Sequence, residues 1–215
     1  MYIPHQFSIT DWQEITSFAA SVRAADLVTV DTAGNPMATL MPFVWDQSDV
    51  SEGNYGKLVM HMARANPQWK SLTANPQGLA IVRGHQAYIS PTNYERKQTD
   101  HKVVPTWNYQ SVHLSGTVEI SEDKELLRKI VTELTATHEA SRVEPWAVSQ
   151  ADESYIELEL KGIVALTLHV TRVEAKYKLS QNRSPSDQER VIADLSQSRI
   201  AGESEIAAQM KRLQP

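Results

Sequence analysis

The sequence predicts a mainly β domain with peripheral helices, of α+β class, built on an antiparallel sheet or small barrel. Three observations predict it. Six or so segments have strand character, and most follow one another in hairpin-like succession. Helical segments interrupt them in no regular βαβ rhythm, which argues against a parallel sheet. The clearest pattern in the chain, "YQSVHLSGTVEI" at 109–120, sets Val112, Leu114, Gly116, Val118 and Ile120 against Ser111, His113, Ser115, Thr117 and Glu119. That period of two is the signature of a half-buried strand.

The remaining elements follow in order. "SITDWQEITSFAASVRAA" has Thr10 and Gln13 in capping-box spacing, then Ile15, Phe18, Ala19 and Val22 at helical spacing, so a first helix is expected near 11 to 23. "DLVTVDTAGNPMATLMPFVW" reads as two β segments around a Gly34-Asn35 turn. "YGKLVMHM" is a third strand, and Asn66-Pro67 opens a helix after it. "GLAIVRGHQAYISP" predicts an apolar strand buried on both faces, a break at Gly84, and a further strand. Ser121 is the expected cap of a helix over "KELLRKIVTELTATHEA". "GIVALTLHVTRVEA" alternates through Val164, Leu166, Leu168 and Val170. Ser184-Pro185 then starts a helix, and "SEIAAQMKRLQP" is another. With no repeat or linker, residues 1–215 read as a single domain with C-terminal helices from about 184.

Composition narrows the function classes. The absence of cysteine excludes a disulfide framework, thiolate metal sites and a cysteine nucleophile, and fits a cytoplasmic protein. The N-terminus lacks the form of a signal peptide and no apolar run is long enough to span a membrane. A net charge of −5 repels nucleic acid, so DNA binding would need a local basic patch. Arg96, Lys97, His101 and Lys102 form the best candidate, with solvation or pocket gating as the usual role of such a loop.

Chemical motifs are few. The seven histidines lie in no metal-ligand spacing, so no metal is expected; His113 and His169 read as surface residues of strands. Nucleophile-elbow, dinucleotide and NTP-loop patterns are absent. Three stretches stand out. In "HMARANPQWKSL", Arg64 and the Asn66-Pro67 helix start can converge on a phosphate, or form an ordinary capped helix with a solvated arginine. In "KVVPTWNYQSVHLSG", Trp107, Asn108 and Tyr109 can line a planar ligand's pocket or plug a barrel end. In "KYKLSQNRSPSD", Lys178, Ser180, Gln181, Asn182 and Arg183 form either a second anion-facing surface or a polar strand-to-helix connection.

Together "MYIPHQF", "HMARANPQW", "HQAYISP", "VPTWNYQSVHLSG", "ELKGIVALTLHV" and "AKYKLSQNR" resemble, in order from residue 1 to about 200, the PaiB-type FMN-binding negative transcriptional regulator family. The resemblance implies an antiparallel FMN-binding split β-barrel, related to pyridoxamine-phosphate-oxidase-like flavoproteins, with FMN held in a homodimer. It sets Ala38, Thr39, Leu40 and Met41 against the flavin ring, and gives Arg64 and Asn66 to the phosphate. His61, Met62 and Ala63 go to the ring or ribityl chain, Trp107 and Asn108 to a wall beside the ring. Lys178, Ser180, Gln181 and Asn182 join the same site, from either subunit. Lys70 stands where related sequences often carry arginine. The implied function is a negative transcriptional regulator. A flavin-dependent oxidoreductase is the alternative, and a haem-handling protein using His61 and His85 a weaker one.

Overall fold

The computed structural model describes residues 1–214, and Pro215, the end of the last expected helix, lies outside them. Among the described residues eight strands occur: β1 (Ser8–Ile9), β2 (Ala24–Val30), β3 (Pro36–Pro42), β4 (Val44–Asp46), β5 (Lys57–Ala63), β6 (Gln77–Ile89), β7 (Thr106–Ser121) and β8 (Ile163–Lys178). Seven α-helices accompany them: α1 (Trp12–Val22), α2 (Gln68–Ser71), α3 (Arg96–Thr99), α4 (Lys124–Glu139), α5 (Glu153–Leu160), α6 (Pro185–Ser196) and α7 (Glu203–Arg212). The strands form one antiparallel sheet in the order β3-β2-β6-β7-β8-β5-β4, with β1 paired to β8.

The chain divides into two compact units. The first comprises Met1–Ile15, Arg83–Val112 and the chain from Glu174 onward; the second comprises Thr16–Val82 and His113–Val173. Strands β6, β7 and β8 each supply residues to both.

In the second unit, β2 and β3 pair from Ala24↔Pro42 to Val30↔Pro36, closed by the Gly34 turn the sequence marks. Strand β5 pairs with β8 from Lys57↔His169 to Ala63↔Ile163. One face of that pair is covered by α4: Val59 and Ala165 pack with Leu127, Ile130, Leu134 and Leu160. Burial of such side chains stabilises by roughly 1.5–3 kcal/mol each, which is why α4 carries its apolar residues along one stripe. Gly116 is required for the strand spacing here, because a Cβ on it would stand 1.8 Å from His169 O. In the first unit, β1 pairs with β8 at Ser8↔Lys176 and Ile9↔Ala175, and α6 and α7 bury Val191, Leu195, Ile206 and Met210.

The structure corrects several local expectations. Strand β6 runs unbroken through Gly84, whose φ is not positive, so the glycine breaks no pairing. The strand is not buried on both faces either: Gly78, Ala80 and Val82 are buried while Leu79 and Ile81 are half-buried. Beyond Gly84 the buried set changes parity to Ala87 and Ile89. Asp123, two residues after Ser121, caps α4, accepting from Leu126 N at 2.7 Å. At α1, Asp11 accepts from Glu14 N at 3.0 Å. Strand β4 and helix α5 were not foreseen, being short or weakly amphipathic.

Candidate functional site

The turn after β5 belongs to the second unit. Asn66 Oδ1 accepts from Gln68 N at 2.9 Å, and Asn66 Nδ2 donates to Thr39 Oγ1 at 3.1 Å. Thr39 donates on to Gln68 Oε1 at 2.5 Å. The structure therefore brings together two of the implied site residues that are distant in sequence. At their centre is Gln68, which sequence reasoning missed. Only 1% exposed, its amide also donates to Leu27 O at 2.8 Å and Thr29 Oγ1 at 3.2 Å. Buried amides persist only when satisfied in this way. No sequence signal marks Gln68, since its partners lie on β2 and β3.

The helix this turn opens is a correction to expectation. Helix α2 is a single turn of four residues, Pro67 precedes it in αR conformation, and its Gln68 N–H is already taken by Asn66. Little dipole or free N–H remains for an anion. Arg64 is also engaged. Its Nε donates to Lys161 O at 2.9 Å, Nη2 donates to Ile163 O at 3.1 Å, and Nη1 pairs with Glu122. A guanidinium has five N–H donors, so two remain. They border a cleft of about 340 Å³ lined by Arg64, Glu122, Lys124, Leu127, Glu157, Leu160 and Lys161.

Period two sorts the strand residues. Met41 and Met62 point into the core, 3% and 2% exposed, so neither offers a surface to a ligand. Ala38 and Leu40 face outward, Leu40 at 65% exposure. Register carries this outer face across β2 and β6, because Ala38 pairs with Val28, Leu40 with Asp26, Val28 with Leu79 and Asp26 with Ile81. Val28, Leu79 and Ile81 are all only half-buried. Ala63 is exposed, while His61 is half-buried and, paired to Ala165, lies on the α4 side of β5. Its Nδ1 is buried with no hydrogen-bond partner, and burial holds its pKa below the ordinary 6.5.

The other implied residues belong to the first unit. Asn108, fully buried, donates to Ser180 Oγ at 2.9 Å and lies 3.5 Å from Met210 Sδ. Ser180 has a φ of 66°, the left-handed region, at the start of the turn. Gln181 accepts from Leu179 N at 2.7 Å and donates to Tyr177 O at 2.6 Å. These three side chains hold the turn itself, and Asn182 is exposed. Lys178 donates to Thr106 Oγ1 at 2.5 Å and Trp107 O at 2.6 Å. Trp107 is half-exposed.

Comparison with known proteins fits this architecture. Residues 1–172 match the family described as "Putative FMN-binding domain". The PaiB protein of Bacillus subtilis (strain 168), "Protease synthase and sporulation protein PAI 2", is 35% identical over 195 residues, 91% of this chain and 89% of the relative. The chain belongs to this FMN-binding-domain family. Two solved structures share the fold. A conserved hypothetical protein, Rv2991 of Mycobacterium tuberculosis, superposes with a TM-score of 0.58 at 14% identity, covering 86% of this chain and 94% of that one. The FAD and heme binding protein of Mycobacterium smegmatis gives 0.57 at 17% identity, covering 85% and 78%. The fold is an antiparallel split barrel with flanking helices. No helix among the described residues is long and apolar enough to cross a membrane.

Proposed function

We propose that the protein is an FMN-binding homodimer of the PaiB type that acts as a negative regulator of transcription. The observation that carries the cofactor reading is the Thr39–Asn66–Gln68 cluster, which ties the strand "MATLMPF" to the turn "HMARANPQW". Ala38 and Leu40 offer the exposed apolar surface a flavin ring requires, and Ala63 leaves room beside the turn. Arg64 keeps two donors for the phosphate, while Asn66 serves by holding the turn rather than by binding directly. When bound, FMN supplies a redox-active isoalloxazine; the protein's part is to hold the phosphate and exclude water from the ring.

The exposed Leu40 and Ala38, continued by the half-buried Val28, Leu79 and Ile81, support a second copy as the cover of this sheet face. Regulation is carried over from the PaiB resemblance, and the net charge of −5 favours repression through another protein over autonomous DNA reading. A nanomolar, sequence-specific mobility shift by the protein alone at physiological salt would reverse that preference.

FMN and riboflavin titrations of wild type and Arg64→Ala test the cofactor reading. Loss of a charge-assisted contact of roughly 1.5–3 kcal/mol should weaken FMN at least about tenfold and leave riboflavin unchanged. Equal affinities in both proteins would refute it. Sedimentation should find a dimer, and Leu40→Asp should yield monomer. A second reading, a flavin-dependent oxidoreductase, is favoured by His61, a neutral imidazole with an unpartnered nitrogen that suits proton transfer. Steady oxidation of NADH or NADPH by the FMN-loaded protein, lost in His61→Gln, would put that reading first.

A further inference from the structure

Helix α5 is apolar on two sides, and only one of them is covered. Leu160, with Ile156 beside it, packs against Leu127 and Ile130 of α4. Tyr155 and Leu158, three residues apart and so neighbours on the opposite side, are 56% and 60% exposed. A helix that is apolar all round is normally buried all round. The chain leading into α5 repeats the pattern, with Val143 fully exposed and Trp146 half-exposed. Four of the twelve exposed large apolar side chains among the described residues fall within 143–158, a density that sets this stretch apart from singly scattered surface residues. The approach is also fixed in place, since Trp146 N donates to Glu139 Oε2 at 3.1 Å and Ala147 N to Gln150 Oε1 at 3.3 Å. A surface ordered beforehand loses less entropy on binding.

The charge of this stretch is of one sign. Residues 143–160 hold five acids, Glu144, Asp152, Glu153, Glu157 and Glu159, and no lysine or arginine, in a chain whose net charge is −5. On the side toward α4, Arg128 pairs with Glu153 and Glu157 at 2.6 Å each, and Lys124 pairs with Glu157. Among the described residues no cation lies within ion-pair distance of Glu144, Asp152 or Glu159. Asp152 caps its own helix, accepting from Tyr155 N at 3.0 Å, and keeps its charge. Glu159 stands four residues after Tyr155, on the same side of α5. Unpaired acids around exposed apolar groups repel nucleic acid and anionic bilayers alike, and they match a partner that carries cations around an apolar stripe.

We propose that the outer side of α5, together with the segment 143–146 before it, is a docking surface for a basic amphipathic segment of another protein. Tyr155, Leu158 and Trp146 receive the partner's apolar stripe, tyrosine and tryptophan being the side chains in which binding energy most often concentrates. Glu144, Asp152 and Glu159 receive its lysines or arginines. None of these six residues lines the cleft that Arg64 borders, so the surface depends on neither flavin nor repression.

Anisotropy titration of a labelled peptide against the full-length protein tests it. The probe is a helical peptide of about five turns with leucine along one side and lysine on the other. One control replaces lysine by glutamate, and a second scrambles the order so that no apolar side forms. The leucine-lysine peptide should bind at physiological salt, and each control at least about tenfold more weakly. Tyr155→Ser combined with Leu158→Ser should weaken the probe by about tenfold and Glu159→Lys by about threefold, with urea midpoints unchanged because all three positions are exposed. Ile200→Ser, at an exposed apolar position of the first unit, should leave binding within about twofold, and so should saturating FMN. No binding of the probe, equal binding of the controls, or wild-type affinity in either α5 variant would overturn the proposal. A loss in Ile200→Ser as large as in the double variant would overturn it too, as would displacement of the peptide by FMN. If FMN fails to bind the wild type, the cofactor reading falls while the peptide comparison still decides this one.

Discussion

Two strand-to-helix turns, the one after β5 and the one after β8, are rich in polar residues and use the same device to opposite ends. Each is held by a glutamine. Gln68 reaches Leu27 O and Thr29, some forty residues away in sequence, and so fastens its turn to other strands. Gln181 bonds only Leu179 N and Tyr177 O, so it stitches its own turn. The charges differ as well. Arg64 is tied to two carbonyls and Glu122, whereas Lys178 is held by Thr106 Oγ1 and the Trp107 carbonyl. A polar turn is therefore a poor guide to free charge, and what decides it is the chain that folds back beside it.

The largest effect that tests this contrast is on stability. Gln68→Ala should cost roughly 2–4 kcal/mol, because it strands buried acceptors on β2 and β3 without partners. Gln181→Ala should cost about 1 kcal/mol, since its two bonds are local and only part-buried. Urea denaturation of both variants measures the difference. Equal losses would mean that the reach of a hydrogen bond is irrelevant here.

The same contrast explains what the sequence could reveal. Strand β7, the β2–β3 hairpin and α4 were legible because their signal is local: a period of two, a Gly34-Asn35 turn, an amphipathic stripe. Ser184 as the cap of α6 was legible for the same reason, and it accepts from Asp187 N at 3.2 Å. The burial of Gln68 and the neutralisation of Arg64 by Glu122 were not, because each depends on residues many positions away. The motif "HMARANPQW" located a turn correctly, but its phosphate geometry was inferred from a helix that proves to be one turn long. "KYKLSQNRSPSD" left two readings open, and the structure shows the polar connection, built by Ser180 and Gln181.

A smaller effect sharpens the first half of the comparison. The Arg64–Glu122 pair is largely exposed, its side chains 37% and 57% accessible, so breaking it should change stability by no more than about 1 kcal/mol. Glu122→Gln should, however, release a guanidinium donor and raise FMN affinity by about three- to tenfold if the phosphate uses Arg64. Fluorescence quenching of FMN on titration reads this directly. An unchanged affinity in Glu122→Gln, alongside a loss in Arg64→Ala, would mean that Arg64 shapes the turn without touching the phosphate.

The smallest effect belongs to the second turn and appears as a dependence on pH. Lys178 has a folded-state pKa below the ordinary 10.5 of a lysine, through burial and then the charges of Lys176 and Arg183. Between that lowered value and 10.5 the unfolded chain binds more protons than the folded one, so stability rises with pH across that window. Below it, the cost of holding the charged ammonium is present in full. Because other lysines and tyrosines titrate in the same range, the useful quantity is the difference between wild type and Lys178→Met in urea midpoint as pH approaches 10.5. Wild type should gain on the variant as pH rises. A gap that stays constant with pH would mean that neighbouring acids already compensate Lys178, and the contrast between the two turns would then reduce to one of hydrogen bonding.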